Sequence, residues 1–284
     1  MNRQQIKGSI ALLVAAFIWG SAFVAQSKAM EFIQPFTLQA VRSFLATAFL
    51  IPVIFILDIP KKKNATYKKM TKTDKKSLLL SGVVCGVVLS LAANLQQIGM
   101  NIGVEPGKAG FITAMYLLLV PVFGLFMGKR LPLKMWCCIF AGVIGLYLLC
   151  ITNSFSLSSG DTFVILCAVA FAFHILSVDY FVKTCDGVKL SCLQFLVVGI
   201  ISSILMLAFE QPSLDAIKAA AFPIIYAGVG SCGIAYTLQI VGQKYTPPVL
   251  ASLIMSLESV FAVLSQIVVM GVFPSTREAL GCVV

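Results

Sequence analysis

The side chains of this sequence that are best suited to chemistry are a few polar groups inside long apolar runs. The clearest is Glu258, which lies in the run LASLIMSLESVFAVLSQIVVMG and has no Lys, Arg or His within about ten residues on either side. An ionisable group in such surroundings is costly and is therefore a candidate for function. We expect Glu258 either to contact a substrate amine or to carry a proton. The alternative is a buried carboxyl, neutral or paired with Arg42, that only joins helices.

Other polar and aromatic side chains share this apolar setting. His174, the single histidine, is expected to be either a packed neutral side chain or a gating or proton-relay group. The amides and aromatics are expected either to line a wet cavity or to pack between helices, and Arg42 to be a structural or interfacial anchor. Glu258 and His174 are the candidates for proton coupling. The candidate cavity residues are Glu258, Tyr116, Trp19, Asn94, Gln97, His174 and Gln239, with Gln96 beside them.

Motifs for other chemistries fail on their context. The segment GVGSCG fits the dinucleotide fingerprint G-x-G-x-x-G, but it lies inside an apolar run instead of between a strand and a helix. Small residues at this spacing allow helix backbones to approach closely. VEPGKAG has the wrong spacing for a phosphate-binding loop, one histidine excludes H-E-x-x-H, and the nine cysteines form no C-x-x-C pair. The sequence therefore predicts no enzyme, no metal, no cofactor and no ATPase subunit.

The composition indicates which elements must position these residues. Of the 284 residues, 59% are hydrophobic and 11% are charged, and the mean hydropathy is +0.98. A soluble domain carries about 25% charged residues. Because there is too little polar surface to coat a globule, the sequence predicts an all-α polytopic membrane protein with lipid as a partner.

Uncharged runs of about 20 residues mark the membrane spans. The tenth run begins near Thr276 with nine residues left, so we expect the sequence to stop inside its last helix. The first run is expected to be a signal anchor that is not cleaved. The nine longer runs, of which the second contains Arg42, the sixth Asp161 and Asp179 near its ends and the ninth Glu258, cover residues 8–27, 35–57, 77–104, 109–128, 135–152, 161–182, 190–209, 219–243 and 248–271.

The distribution of Lys and Arg predicts the orientation. With a cytoplasmic N-terminus, sixteen Lys and Arg residues fall in inner segments, eight of them in the Lys61–Lys76 loop, and four fall in outer loops. The net charge of +10 is thus mainly a topological signal, and no nucleic-acid partner is expected. We expect a multi-pass protein of the cytoplasmic (inner) membrane of a bacterium, with its N-terminus in the cytoplasm.

The sequence also repeats itself. A shift of 142 places Gln97, Pro106 and Pro132 on Gln239, Pro248 and Pro274, and a shift of 152 places Trp19-Gly20 on Phe171-Ala172 and Arg42 on Gln194. Five spans in each copy mean that the second copy enters the membrane upside down. The predicted domains are residues 1–152 (helices 1–5) and 160–284 (helices 6–9 and the start of helix 10). Inverted repeats are common in secondary transporters, whose substrate site lies near the midplane.

The opening AAFIWGSAFVAQSKAMEFIQPFTLQAVRSFLATAFLIP resembles the start of an EamA-type repeat of the drug/metabolite transporter superfamily. Trp19-Gly20, Pro35 and Arg42 stand at that pattern's Trp-Gly, Pro and Arg. GDTFVILCAVAFAFHILSVDYF and SLESVFAVLSQIVVMG resemble the first and fourth helices of a second repeat, although Ser259 replaces the usual Pro. The resemblance implies a ten-helix bundle, alternating access and transport of a small organic solute such as an amino acid.

These expectations place Glu258 about ten residues into its helix, roughly 15 Å deep, with Tyr116 as its counterpart in the first repeat. The predicted function is secondary transport of amino acids or related amphipathic metabolites, in the export direction, with a small molecule and a coupling proton as partners. Three alternatives remain open: a broader drug or metabolite carrier for efflux or uptake, a receptor or scaffold without transport, and a membrane enzyme that uses Glu258 and His174.

Overall fold

The computed structural model describes residues 3–63, 70–104, 106–126, 128, 131–150, 158–270, 273 and 275–283. The described residues form helices and no strands. In chain order the helices are α1 (Arg3–Met30), α2 (Pro35–Lys63), α3 (Lys72–Asn101), α4 (Pro106–Ala114), α5 (Tyr116–Phe126), α6 (Leu133–Cys150), α7 (Ser159–Phe181), α8 (Gly187–Phe209), α9 (Leu214–Ala219), α10 (Ala221–Ile225), a π-helical segment (Tyr226–Ala235), α11 (Tyr236–Gln243), α12 (Pro248–Met255), α13 (Glu258–Met270) and α14 (Thr276–Val283).

The helices have the length and composition of membrane spans. Eight apolar helical stretches of at least 18 residues occur in the described part of the chain, and the helix Leu133–Leu148 is a shorter apolar one. Large apolar side chains also cover the outer surface; Phe126 and Phe222, for example, are 86% and 84% exposed. Such a surface is suited to lipid. The predicted all-α polytopic class is therefore confirmed.

Local sequence explains where several helices begin. Thr71 and Ser158 each form a capping box, with Asp74 and Asp161 respectively, at the start of α3 and of α7. The helices α4 and α12 begin at Pro106 and Pro248, where the missing proline N–H costs no helical hydrogen bond. The two prolines aligned by the repeat thus start corresponding helices.

The helix starts follow the two sequence shifts. The first residues of α2 and α8 are 152 positions apart, and those of α3 and α9, α4 and α12, and α5 and α13 are 142 apart. We call residues related in this way equivalent. Contacts follow the same rule: α3 packs on α7 and α8, while α11 and the π-helical segment, which are equivalent to the end of α3, pack on α1 and α2 respectively. The bundle therefore has a pseudo-two-fold axis.

The central pair α2 and α8 shows that the second copy is inverted. Glu210, at the end of α8, accepts hydrogen bonds from the start of α2 at Thr37. Its equivalent Asp58, near the end of α2, pairs at 2.8 Å with Lys189, the equivalent of Thr37, at the start of α8. Each helix thus ends where the other begins, so the two equivalent helices are antiparallel.

Glycine pairs bring helices together near opposite ends of the bundle. A Cβ on Gly8 of α1 would lie 2.8 Å from the carbonyl oxygen of Gly242 in α11. A Cβ on Gly160 of α7, the equivalent of Gly8, would lie 3.1 Å from the carbonyl oxygen of Gly99 in α3. Because glycine has no side chain, these helix backbones pack in direct contact. The two crossings are counterparts under the pseudo-symmetry.

Candidate functional site

Both copies of the fourth helix are broken at the same level. In the first repeat, α4 ends at Ala114 and α5 begins at Tyr116. In the second, α12 ends at Met255 and α13 begins at Glu258. The interruption is a single turn residue in the first repeat and two in the second, and 3₁₀-type hydrogen bonds from Met115 to Ile112 and from Leu257 to Ile254 continue through it. Local irregularities in membrane helices are common at the binding sites of transporters. The sequence did not predict these breaks, since both segments appear as continuous apolar runs.

Glu258 and Tyr116, the first residues of the two second half-helices, contact each other. The hydroxyl Oη of Tyr116 donates a hydrogen bond of 3.2 Å to Oε1 of Glu258, and both side chains are buried. The two residues are equivalent, and two equivalent residues can touch only near the axis that relates the repeats. The acid that the sequence singled out therefore lies at the centre of the molecule.

A small cavity, with a volume of about 50 Å³, lies around this contact. That volume has room for a few water molecules, so a larger solute requires the surrounding helices to move apart. Its wall is built largely from equivalent residues of the two repeats. These pairs are Trp19 with Phe171, Phe23 with Ile175, Thr113 with Met255, and Tyr116 with Glu258.

Aromatic rings form an apolar part of the wall. The rings of Trp19 and Tyr236 meet edge to face with centroids 4.7 Å apart. Tyr236 also contacts the buried Phe195 at 5.2 Å, which holds its ring in place. Edge-to-face pairs of this kind stabilise a fixed ring orientation. The cavity therefore offers a rigid aromatic surface to an apolar group.

Polar groups complete the wall. Gln96 donates a hydrogen bond of 3.0 Å to Thr113, whereas Nε1 of Trp19 and Oε1 of Gln239 are buried without a hydrogen-bond partner among the described residues. Unpaired buried donors and acceptors are costly, and a bound solute or water would satisfy them. The remaining polar residues of the wall are Gln26, Arg42 and Ser231.

Arg42 and Glu258, which the sequence analysis considered as a possible pair, line the same cavity without forming an ion pair. Within the described residues, the guanidinium of Arg42 is bound by the side-chain oxygens of Gln39 and Gln26. Gln97 lies one step behind the wall and donates a 2.6 Å hydrogen bond to the same oxygen of Gln26. Arg42 is thus part of the cavity and is held there by amides.

Like Gln97, two further predicted cavity residues lie off the wall. His174 is fully buried and its Nε2 is 3.1 Å from Oε1 of Gln194, the equivalent of Arg42. Asn94 donates hydrogen bonds to Ser90 and, at 3.0 Å, to Ser202, and so joins α3 to α8. Of the predicted residues, Glu258, Tyr116, Trp19 and Gln239 line the cavity.

The π-helical segment contains the GVGSCG motif. A Cβ on Gly228 would lie 2.9 Å from the Leu45 side chain, and one on Gly233 would lie 2.8 Å from Phe49, so these glycines serve the packing of this segment on α2. The same segment contributes Ser231 to the cavity. π-Helical turns are frequent at functional sites.

Sequence reasoning missed part of the wall. Phe171 could have been found, because the shift of 152 already aligned it with Trp19. Tyr236, the equivalent of Asn94, could have been found by the same argument with the other shift. Gln96, which was named beside the candidates, does line the cavity, whereas Gln26 and Ser231 gave no comparable signal. The wall combines aromatic and polar side chains, and no group of three metal-ligating side chains occurs among the described residues.

Comparisons with known proteins agree with this architecture. The EamA-like transporter family matches the chain at residues 6–151 and 158–284. An uncharacterized transporter of Archaeoglobus fulgidus is 24% identical over 268 residues, which cover 94% of this chain and 79% of that protein. A solved crystal structure has the same fold, with a TM-score of 0.77 at 18% identity, covering 97% of this chain and 92% of the other. The chain therefore belongs to the EamA-like transporter family.

Proposed function

We propose that this protein is a secondary active transporter that exports small amphipathic metabolites, such as amino acids, across the cytoplasmic membrane by alternating access. The observation that carries the proposal is the cavity at the pseudo-two-fold axis, where both fourth helices break and Glu258 meets Tyr116. A site shared by two inverted repeats is reached equivalently from either side of a membrane.

The glycine crossings support alternating access. Gly8 and Gly242 bring α1 and α11 together near one end, and Gly99 and Gly160 bring α3 and α7 together near the other. Each crossing is a backbone contact that helices can make or break by rocking as rigid bodies. Gly8 and Gly160 are equivalent, and Gly242 lies one position from the equivalent of Gly99, so the two crossings are close counterparts. Opening one while the other stays closed gives the two states of the cycle.

Glu258 is the residue that we propose either recognises the solute or couples its transport to a proton. Its carboxyl is buried, its hydrogen bond comes from the neutral Tyr116, and no described cation pairs with it. A carboxyl in this position either accepts the ammonium group of the solute or takes up a proton that moves in exchange. With the N-terminus in the cytoplasm, the Lys61–Lys76 loop faces the cytoplasm.

The proposal is tested by flux in proteoliposomes. Proteoliposomes that contain the purified full-length protein are loaded with radiolabelled amino acids, and their release is measured with and without an imposed proton gradient. Glu258→Gln keeps the size of the side chain and removes its charge. We expect Glu258→Gln to lower the rate about tenfold or more, or to abolish its dependence on the gradient, as for a lost charged contact.

The matched control is Glu31→Gln. Glu31 forms an exposed ion pair of 2.8 Å with Lys28, so the same chemical change there should leave flux and stability unaltered. Wild-type flux and gradient dependence in Glu258→Gln would contradict the role of the acid. The absence of any solute flux in the wild type would contradict transport and favour a receptor.

A further inference from the structure

Arg42 brings a buried cation to the cavity without a countercharge. Its residue is 5% exposed, and among the described residues its guanidinium contacts no carboxylate. Its acceptors are the neutral amide oxygens of Gln39 and Gln26, and the distance from Nε of Arg42 to Oε1 of Gln39 is 2.8 Å. Burying a charge without an opposite charge is unfavourable. An anion bound in the cavity would supply the missing opposite charge.

The guanidinium is held in place with donors to spare. It has five N–H groups, and three of the hydrogen bonds described for it go to Gln39 and Gln26. The oxygen of Gln26 is fixed in turn by Gln97 at 2.6 Å. Gln39 and Gln26, from α2 and α1, thus fix the guanidinium plane, and two of its five N–H groups have no acceptor among the described hydrogen bonds. Paired N–H groups of arginine suit a carboxylate.

The repeat shows that both charges of the cavity are departures from its symmetry. The equivalent of Arg42 is Gln194, which contacts His174 and does not line the cavity. The equivalent of Glu258 is the neutral Tyr116. Packing alone would be served by neutral residues at all four positions, as it is at two of them. One cation and one acid, contributed by different repeats to one cavity, are matched to a solute that is not symmetric.

We propose that Arg42 is the anion-recognising residue of the cavity and binds the carboxylate of a zwitterionic solute whose ammonium group faces Glu258. The aromatic wall of Trp19 and Tyr236 receives the apolar part. This inference rests on the proposed function and narrows it: an amine without a carboxylate is a poor ligand. Arg42 is therefore a specificity-determining residue, in contrast to the anchor expected from its position in the sequence.

Three probes that differ only in charge test the proposal. L-Phenylalanine carries both groups, 3-phenylpropionate lacks the amine, and 2-phenylethylamine lacks the carboxylate. Their binding to the purified full-length protein is measured by calorimetric titration. For the wild type we expect phenylalanine to bind best and phenylethylamine to bind about tenfold or more weakly, since a hydrogen-bonded charge is lost.

The variant Arg42→Gln introduces the residue of the equivalent position. This variant should bind phenylalanine and phenylpropionate about tenfold or more weakly than the wild type, and its affinity for phenylethylamine should be unchanged. Arg42→Lys keeps the charge without the planar guanidinium, so its loss of affinity for the two carboxylates should be smaller than that of Arg42→Gln. Glu258→Gln should weaken the binding of phenylalanine and phenylethylamine, which carry the ammonium group, and leave the binding of phenylpropionate unaffected. If Arg42→Gln does not fold, Arg42→Lys and the wild-type preference decide.

The outcomes separate this inference from the proposed function. Wild-type binding that is indifferent to the carboxylate, or equal losses for all three probes in Arg42→Gln, overturns the role of Arg42 while amino acid transport stands. Inorganic phosphate is titrated in the same way. If phosphate binds and phenylalanine does not, the cavity is a phosphate site and the proposal is also overturned. If none of the three probes binds and no amino acid is carried, the proposed function fails and this inference fails with it.

Discussion

Glu210 links the two repeats at the start of α2, and its replacement should destabilise the protein measurably. Its Oε1 accepts the backbone N–H of Phe36 at 2.7 Å, and its Oε2 accepts the N–H and the hydroxyl of Thr37 at 2.7 and 2.6 Å. The carboxylate thus caps the first turn of α2 from the end of α8. A negative charge at this place also interacts favourably with the helix dipole.

The magnitude of Glu210→Gln follows from these three bonds. The amide oxygen can keep the two bonds to Thr37, but as neutral bonds these are about half as strong. The amide NH₂ then faces the N–H of Phe36, so one donor loses its acceptor, at about 1–3 kcal/mol. With the weakened bonds and dipole contact included, we expect a loss of about 3 kcal/mol in the free energy of unfolding. At about 2 °C per kcal/mol for a chain of this size, the unfolding temperature falls by about 6 °C.

The assay is thermal unfolding of the purified protein in detergent, with Asp58→Asn as the matched control. Asp58 is equivalent to Glu210 and pairs with Lys189, and the side chains of this pair are partly exposed, at 14% and 19%. Asp58→Asn should therefore lower the unfolding temperature by about half as much or less. A larger shift in Asp58→Asn than in Glu210→Gln would refute the reasoning that the capped helix start makes the difference.

Two further predictions concern packing and topology. Gly20→Ala places a Cβ 2.6 Å from the backbone oxygen of Glu258 and 2.6 Å from Cβ of Phe261, so it should cost about 1–3 kcal/mol in thermal unfolding. The control Gly230→Ala, with its nearest atom at 3.7 Å, should be tolerated, and equal losses would contradict the close approach of α1 and α13. Lys68→Cys should stay unlabelled by an impermeant maleimide in intact cells and react after permeabilisation; labelling above the wild-type level in intact cells would reverse the proposed orientation.

The helices were predictable because lipid imposes one strong rule. A span needs about 20 uncharged residues, and runs such as 8–27 and 190–209 satisfy it with charged residues at their ends, so their order and number follow from the sequence. The breaks after Ala114 and Met255 were not predictable in this way. Hydropathy measures whether a segment is apolar, and it is insensitive to a missing hydrogen bond within that segment.

The site was predictable where chemistry or the repeat marked it. Glu258 is conspicuous as a charge in an apolar run, and the shift of 142 paired it with Tyr116 before any contact was known. His174 has an equally conspicuous residue type, yet it bonds to Gln194 behind the wall, since residue type does not tell which face of a helix points to the axis. Arg42 was expected to be an anchor because it lies only two turns into its helix, and its amide partners Gln39 and Gln26 could not be recognised from the sequence.

The contact between Tyr116 and Glu258 has a consequence for how such an assembly can carry a single acid. Two identical halves arranged as in this bundle would place the same residue type on both sides of the axis. With glutamate in both, the two carboxylates would lie within hydrogen-bond distance, where they cannot both be ionised. One continuous polypeptide is free of that constraint, because each side of the axis is encoded separately. Covalent fusion thus permits a single carboxyl group at this place in each molecule, with the hydroxyl of Tyr116 as its hydrogen-bond donor.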